Sequence, residues 1–236
     1  DLGAAALLVA GIVTIGAGAF GAMAARALST LVAFLVVVSA GTLVAAIPLG
    51  VAVRPGVLYY LVHSTVAAAL LFLLVAAIAR QRPVTGDRVA SCTPLAQPTL
   101  LGALFLGAAV AVAGLPPLSG FIGKVALLGP ALDAPRGVVL WVALLASGFV
   151  ALFALARAGS IVFWKTHGVS AGVGRVGAGE GAALALLATL GLALMVFAAP
   201  LQRYAEATAR ELATPSAYVD LVLGARPVGA IGGGAR

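Results

Sequence analysis

The chain has 236 residues, 63% of them hydrophobic and 9% charged, with a formal net charge of +7. A soluble domain carries about 25% charged residues, and a mean hydropathy of +1.18 excludes a soluble globular fold. The same composition excludes disordered, collagen-like and disulfide-scaffold chains, which need polar tracts, Gly-X-Y periodicity or several cysteines.

The expected fold is all-α, a polytopic transmembrane helix bundle of about six spans, because a helical span takes about 20 residues. Charge-free runs mark the spans in order. The first is Leu2 to Ala25. The second is Ala27 to Val53, with Pro48 near its end. The third is Gly56 to Ala79, whose one basic group is His63. The fourth is anomalous. From Val89 to Leu132 the one charged side chain is Lys124, and the strongly apolar part begins near Thr99. About 34 residues would make a helix of about 50 Å, too long for one ordinary span and too short for two. Gly114-Leu115-Pro116-Pro117 lies in its middle. Two prolines remove two backbone donors and clash with the preceding turn, so the reading is one discontinuous span broken between Gly114 and Pro117, resuming near Leu118. The fifth span runs from Gly137 to Ala156 and the sixth from Gly181 to about Leu201.

Residues 1–200 thus read as the transmembrane part. Residues 201–236 read as a short interfacial helix, from Leu201 to Leu212, followed by a flexible Gly-rich tail from Gly224. The chain opens at Asp1 without a signal-peptide pattern and reads as a piece of a longer protein. With six alternating spans, Arg26, Arg80, Arg82, Arg88, Arg157, Lys165 and Arg175 share one side. Arg54, Arg136 and the tail take the other. The richer side is expected in the cytoplasm, which puts both ends of this piece outside. The basic excess is accounted for by such loops and implies no nucleic-acid partner.

Gly16-Ala17-Gly18-Ala19-Phe20-Gly21 fits a dinucleotide-binding pattern. No strand precedes it and no acidic residue follows about 20 positions later. Ala17, Gly21 and Ala25, four residues apart, instead predict close helix packing.

Lys124 carries the strongest chemical signal. A charged lysine at membrane depth costs on the order of 3 kcal/mol by insertion scales. The alternative is snorkelling to an interface, but Lys124 lies well before the nearest loop charges, Asp133 and Arg136. The break offers a partner, because the last carbonyls of the first half-helix lack intrahelical donors and carry the negative end of its dipole. His63 sits in Tyr59-Tyr60-Leu61-Val62-His63-Ser64-Thr65, where it is either an interhelical hydrogen-bonder or a proton shuttle with hydroxyls beside it. Ser64, Thr65 and Ser119 are candidates to line such a path, and Gly114, Pro116, Pro117 and Gly120 form the break. Ser39, Thr42, Ser119 and Ser147 are expected chiefly to bond back to the carbonyl one turn earlier. Cys92 and His167 read as a solvent-side thiol and a solvated loop residue. No ligand cluster predicts a metal or a redox cofactor, and all the carboxylates lie at or beyond span ends.

The segment Gly114-Leu115-Pro116-Pro117-Leu118-Ser119-Gly120-Phe121-Ile122-Gly123-Lys124 resembles the broken-helix signature of the antiporter-like membrane subunits. That superfamily includes the large subunits of the Mrp/Mnh/Pha cation/proton antiporters and the proton-pumping subunits of respiratory complex I. Tyr59 to Leu74, with Leu71-Phe72-Leu73, resembles its His-containing helix, and Leu58 to Thr65 is most similar to the D-type subunit of the multisubunit antiporters. The resemblance runs from about Leu2 to Leu223 and implies helices nine to fourteen of a fourteen-helix protein, with the broken span the twelfth. Two departures stand out. Ala27-Leu28-Ser29-Thr30 occupies the place of a family Asp-Leu-Lys-Arg, and Ala67 or Ala68 that of a lysine one turn after the histidine. Basic groups typical of pumping subunits are therefore missing, leaving Lys124 and His63 to carry a relay.

The resemblance implies a proton-translocating subunit of a Na⁺ or other monovalent cation/proton antiporter in the cell's inner (plasma) membrane. Its partners would be other membrane subunits, protons, monovalent cations and the lipid bilayer, and it would be a transporter subunit and not an enzyme. A pumping subunit of a respiratory NADH dehydrogenase or hydrogenase-type complex is one alternative. A non-conducting structural subunit is the other.

Overall fold

A computed structural model describes residues 2–168, 174–213 and 222 of the chain. Its helices are α1 (Leu2–Ala24), α2 (Leu28–Ala46), α3 (Arg54–Arg80), α4 (Pro98–Ala113), α5 (Ser119–Ala131), α6 (Gly137–Gly159), α7 (Ala178–Val196) and α8 (Ala198–Ala213). Two short 3₁₀ turns, Ile47–Leu49 and Val51–Val53, join α2 to α3, and a π-helical turn, Ser160–Trp164, extends α6. Five helical stretches are long and apolar enough to cross a bilayer, and Pro98–Ala113 is a shorter apolar helix. The molecule is an all-α membrane bundle, as expected. Helices satisfy backbone polar groups within the segment, as hydrocarbon requires.

Packing has a different origin here than in a soluble core. Lipid tails are as apolar as leucine, so close contact between small residues, and not exclusion of water, draws the helices together. Large apolar side chains such as Phe20, Val142 and Phe149 accordingly face outward. The interior is filled by Leu28, Leu31, Leu71, Leu74, Ile78, Leu101 and Leu155, all fully buried. The α1–α2 contact rests on glycines. A Cβ at Gly11 would lie 2.4 Å from the Ala45 amide nitrogen, and one at Gly18 would lie 2.8 Å from Val38. The buried stripe of α1 is Leu8, Gly11, Ile15, Gly18 and Ala22. The predicted Ala17–Gly21–Ala25 stripe is therefore displaced: Ala17 is exposed, while Gly21 meets the Phe34 ring and Ala25 is buried. Four-residue spacing alone selects a stripe one residue out of register with the face that α2 covers.

The sixth span ends at Val196 and not near Leu201. α8 then begins at Ala198 and presents Leu201, Ala205, Thr208 and Ala209 inward, with Arg203, Glu206, Arg210 and Glu211 exposed. The Gly-rich tail from Gly224 lies outside the described residues.

The loops sort into two ends. Ala27 pairs with Arg88, Cys92 with Thr166, and Arg157 donates to the carbonyls of Met23 (3.1 Å) and Ala25 (2.9 Å). Arg80 pairs with Glu180. The segments at 25–27, 81–97, 165–168 and 174–177 therefore gather at one end, the end the arginine pattern groups. Arg82 is 1% exposed there, its guanidinium donating to the carbonyls of Gly86, Arg88 (2.8 Å) and Ala90. At the opposite end the Val51–Val53 turn meets α5 and α8.

Candidate functional site

The fourth span is broken where the prolines stand. α4 ends in a hydrogen-bonded cap centred on Gly114, which adopts φ +79°. The Gly114 amide donates to Ala111 O (3.2 Å) and the Leu115 amide to Val110 O (3.1 Å). This is the pattern by which a left-handed residue closes a helix and satisfies two of its last carbonyls. Pro116 and Pro117 follow, joined by a cis peptide bond. α5 restarts at Ser119, after Leu118 in extended conformation.

Lys124 is the sixth residue of α5. Helical side chains lean toward the helix N-terminus, so its four-carbon stem points back at the break. Nζ lies 2.6 Å from the carbonyl oxygen of Ala113, the last residue of α4, and donates to it. A charged hydrogen bond of about 1.5–3 kcal/mol offsets most of the roughly 3 kcal/mol that a lysine costs at membrane depth. The snorkelling alternative does not describe this side chain. Two glycines make room for it. A Cβ at Gly114 would fall 2.7 Å from Nζ, and one at Gly148, on α6, 3.0 Å from it.

His63 is buried on α3, 4% exposed. Its Nδ1 lies 2.9 Å from Ser119 Oγ, at the start of α5. Back-bonding is the sequence expectation for Ser119, but the break leaves no preceding turn, and its hydroxyl turns to His63 instead. Gly120 lets this meeting happen. A Cβ there would lie 1.8 Å from Ala111 O and 2.9 Å from His63 Nε2. The break thus provides both contacts, a free carbonyl for Lys124 and a first-turn hydroxyl for His63.

The remaining hydroxyls divide. Thr42 donates to Val38 O (2.9 Å) and Ser147 to Leu144 O (3.2 Å), as expected. Ser39 does not bond back. Its Oγ lies 3.4 Å from the hydroxyl of Tyr60. Ser64 and Thr65 both donate to Leu61 O, at 3.1 and 2.8 Å. They line a cavity of ≈ 380 Å³ against α2 together with His63, Ser39 and Tyr60, and they are not brought to Lys124. Tyr59 reaches across to α7, its hydroxyl donating to Leu194 O at 2.7 Å. His167 lies 2.9 Å from Ser91 in the exposed loop region, and no metal-binding group of three His, Cys, Asp or Glu occurs among the described residues. Sequence reasoning misses the Ser39–Tyr60 pair because it joins two helices, 21 residues apart. Its one trace there is the Tyr59-Tyr60 doublet one turn before His63.

The fold and site together describe a helical membrane bundle with one proline-broken span and a buried lysine at its broken end. Residues 4–151 match the family model described as NADH:quinone oxidoreductase/Mrp antiporter, TM. The chain belongs to this family. It is 32% identical over 253 residues to the D-type subunit of a probable K⁺/H⁺ antiporter from Rhizobium meliloti, a match covering 94% of this chain and 46% of that protein. It is 30% identical over 172 residues to the D-type subunit of the Na⁺/H⁺ antiporter of Alkalihalophilus pseudofirmus, covering 71% of this chain and 34% of that one. Among solved structures, the Mrp complex of a Dietzia species contains a chain that superposes with a TM-score of 0.79 at 24% identity, over 94% of this chain and 49% of that chain. Respiratory complex I from Thermus thermophilus contains one with a TM-score of 0.66 at 31% identity, over 88% and 44%. The chain therefore spans less than half the length of these relatives.

Proposed function

We propose that this chain forms part of a D-type subunit of a multisubunit monovalent cation/proton antiporter, and that His63 and Lys124 relay its protons. The observation that carries the reading is the Lys124 ammonium held 2.6 Å from the Ala113 carbonyl at the break of a membrane span. A structural lysine gains nothing from a broken helix that an apolar residue would not gain more cheaply. Intramembrane lysines and histidines mark proton paths because their protonation states are adjustable by environment. Family membership and the D-type relatives support the antiporter reading. The cation carried is Na⁺ or K⁺, the two ions named for those relatives. The arginine-rich end faces the cytoplasm of a plasma membrane, which puts Leu2 and α8 on the outer side, with α8 along the interface.

The test is cation-driven proton flux in vesicles carrying the full-length subunit in its assembled complex. Lys124→Ala and His63→Ala are expected to lower flux at least about tenfold while the complex assembles normally. Wild-type flux in both variants would leave a structural subunit as the reading.

A further inference from the structure

His63 and Lys124 face different cavities. The ≈ 380 Å³ space between α2 and α3 is lined by His63. A much smaller space of ≈ 20 Å³, bounded by α2 to α6, is lined by Lys124, Thr42 and Ser147. Ser39 and Tyr60 line both. Tyr60 is 5% exposed, and its ring centroid lies 6.0 Å from that of His63. Its hydroxyl lies 3.4 Å from Ser39 Oγ, so the two polar residues common to both spaces are paired with each other.

We infer that the Ser39–Tyr60 hydroxyl pair is the proton-conducting bridge between Lys124 and His63, an inference that rests on the relay reading above. The neighbouring hydroxyls are unsuited to the task. Thr42 and Ser147 have committed their single protons to the carbonyls of Val38 and Leu144. A hydroxyl has one proton and two lone pairs, so one tied to a carbonyl accepts a proton but has none free to pass on. Ser39 and Tyr60 are paired with each other, and either oxygen can donate. Such a pair reverses direction without breaking a bond to the backbone.

Lys124 gives a proton, directly or through a water, to a lone pair of the hydroxyl pair. The pair releases its own proton on the other side, through water in the space that Ser39, Tyr60 and His63 all line, to the unprotonated ring nitrogen of His63. One N–H bond breaks at Lys124 and one forms at His63. Lys124 becomes a neutral amine and His63 an imidazolium, while both hydroxyls begin and end neutral. Rotation of the two O–H bonds resets the bridge, and the reverse sequence carries a proton the other way. The other walls shared by the two spaces are apolar, Leu35 and Val112 lining both, so Ser39 and Tyr60 are the polar side chains common to them.

The experiment measures cation-driven proton flux with the full-length subunit in its assembled complex, comparing Tyr60→Phe, Ser39→Ala, Ser39→Thr and the double variant Tyr60→Phe/Ser39→Ala. Tyr60→Phe keeps the ring and removes the oxygen. It is expected to lower flux at least about tenfold with the amount of assembled complex unchanged. Ser39→Ala is expected to lower flux severalfold and Ser39→Thr to stay within about twofold of wild type. The double variant should be no worse than Tyr60→Phe alone, because two groups acting as one unit are not additive. Wild-type flux in Tyr60→Phe, where Lys124→Ala and His63→Ala are inactive, would overturn the bridge and leave the relay standing. Wild-type flux in Lys124→Ala would overturn both. Should Tyr60→Phe fail to assemble, Ser39 decides: equal flux in Ser39→Ala and Ser39→Thr overturns the bridge.

Discussion

The Ser119 hydroxyl shows how one contact orients a buried imidazole. Bonded to His63 Nδ1 at 2.9 Å, it fixes the plane of the imidazole and leaves Nε2 turned toward Gly120. Which ring nitrogen carries the proton is set by the bond the other makes. Ser119→Ala removes a hydrogen bond of about 1 kcal/mol. It should lower flux severalfold, less than His63→Ala does, and Ser119→Thr should restore most of it. Flux in Ser119→Ala equal to wild type would mean the imidazole needs no orienting partner. The identities of Lys124 and His63 were legible in the sequence because a basic group in an apolar run is conspicuous whatever surrounds it. The partners of Ser39 and Ser119 were not, since a hydroxyl chooses its partner in three dimensions, and the default of back-bonding describes Thr42 and Ser147 but not these two.

At the scale of the element, the broken span depends on how closely its two halves and α3 approach. Gly120 is the tightest point, with room for neither a methyl beside Ala111 O (1.8 Å) nor one beside His63. Gly120→Ala is therefore expected to push α5 away from α4 and α3, lowering both thermal stability and flux. Gly107→Ala and Gly129→Ala, where a Cβ meets nothing within 4 Å, should leave both unchanged. Melting in detergent read beside vesicle flux checks this, and a Gly120→Ala protein with wild-type values would contradict the close approach. The break was legible from Pro116 and Pro117 to within a residue or two, because proline chemistry is local. The register of α1 was not. Several small residues in that helix satisfy a four-residue spacing, and the choice among them is made by Val38 and Ala45 on its neighbour α2.

Across the whole molecule, one end is tied together by arginines and the other by short turns. Arg157 caps the carbonyl end of α1, at Met23 and Ala25, where a cation also meets the negative pole of the helix. Arg82 holds three carbonyls of the loop that follows α3. Removing it leaves them without that donor, at a cost on the order of 1–3 kcal/mol. Arg82→Ala should speed proteolysis between residues 83 and 90 and lower the melting temperature, while leaving Lys124 and its carbonyl untouched. Unchanged cleavage would show that the loop is held by other contacts. Charge alternation along the sequence grouped these loops correctly. That Arg82 is buried was not legible, because a basic loop residue is ordinarily solvated. Phe20, Val142 and Phe149 present exposed apolar surface on the outside of the bundle.

The most direct measurement compares Lys124→Arg with Lys124→Met in the assembled complex, by cation-driven proton flux. Arginine keeps the positive charge and the ability to donate to the Ala113 carbonyl, but it does not release its proton. Methionine keeps the length and removes both. A lysine that exchanges protons predicts that both variants lose flux by about tenfold or more, with arginine preserving only assembly. Wild-type flux in Lys124→Arg would contradict this, reducing Lys124 to a fixed charge that neutralises the end of a broken helix.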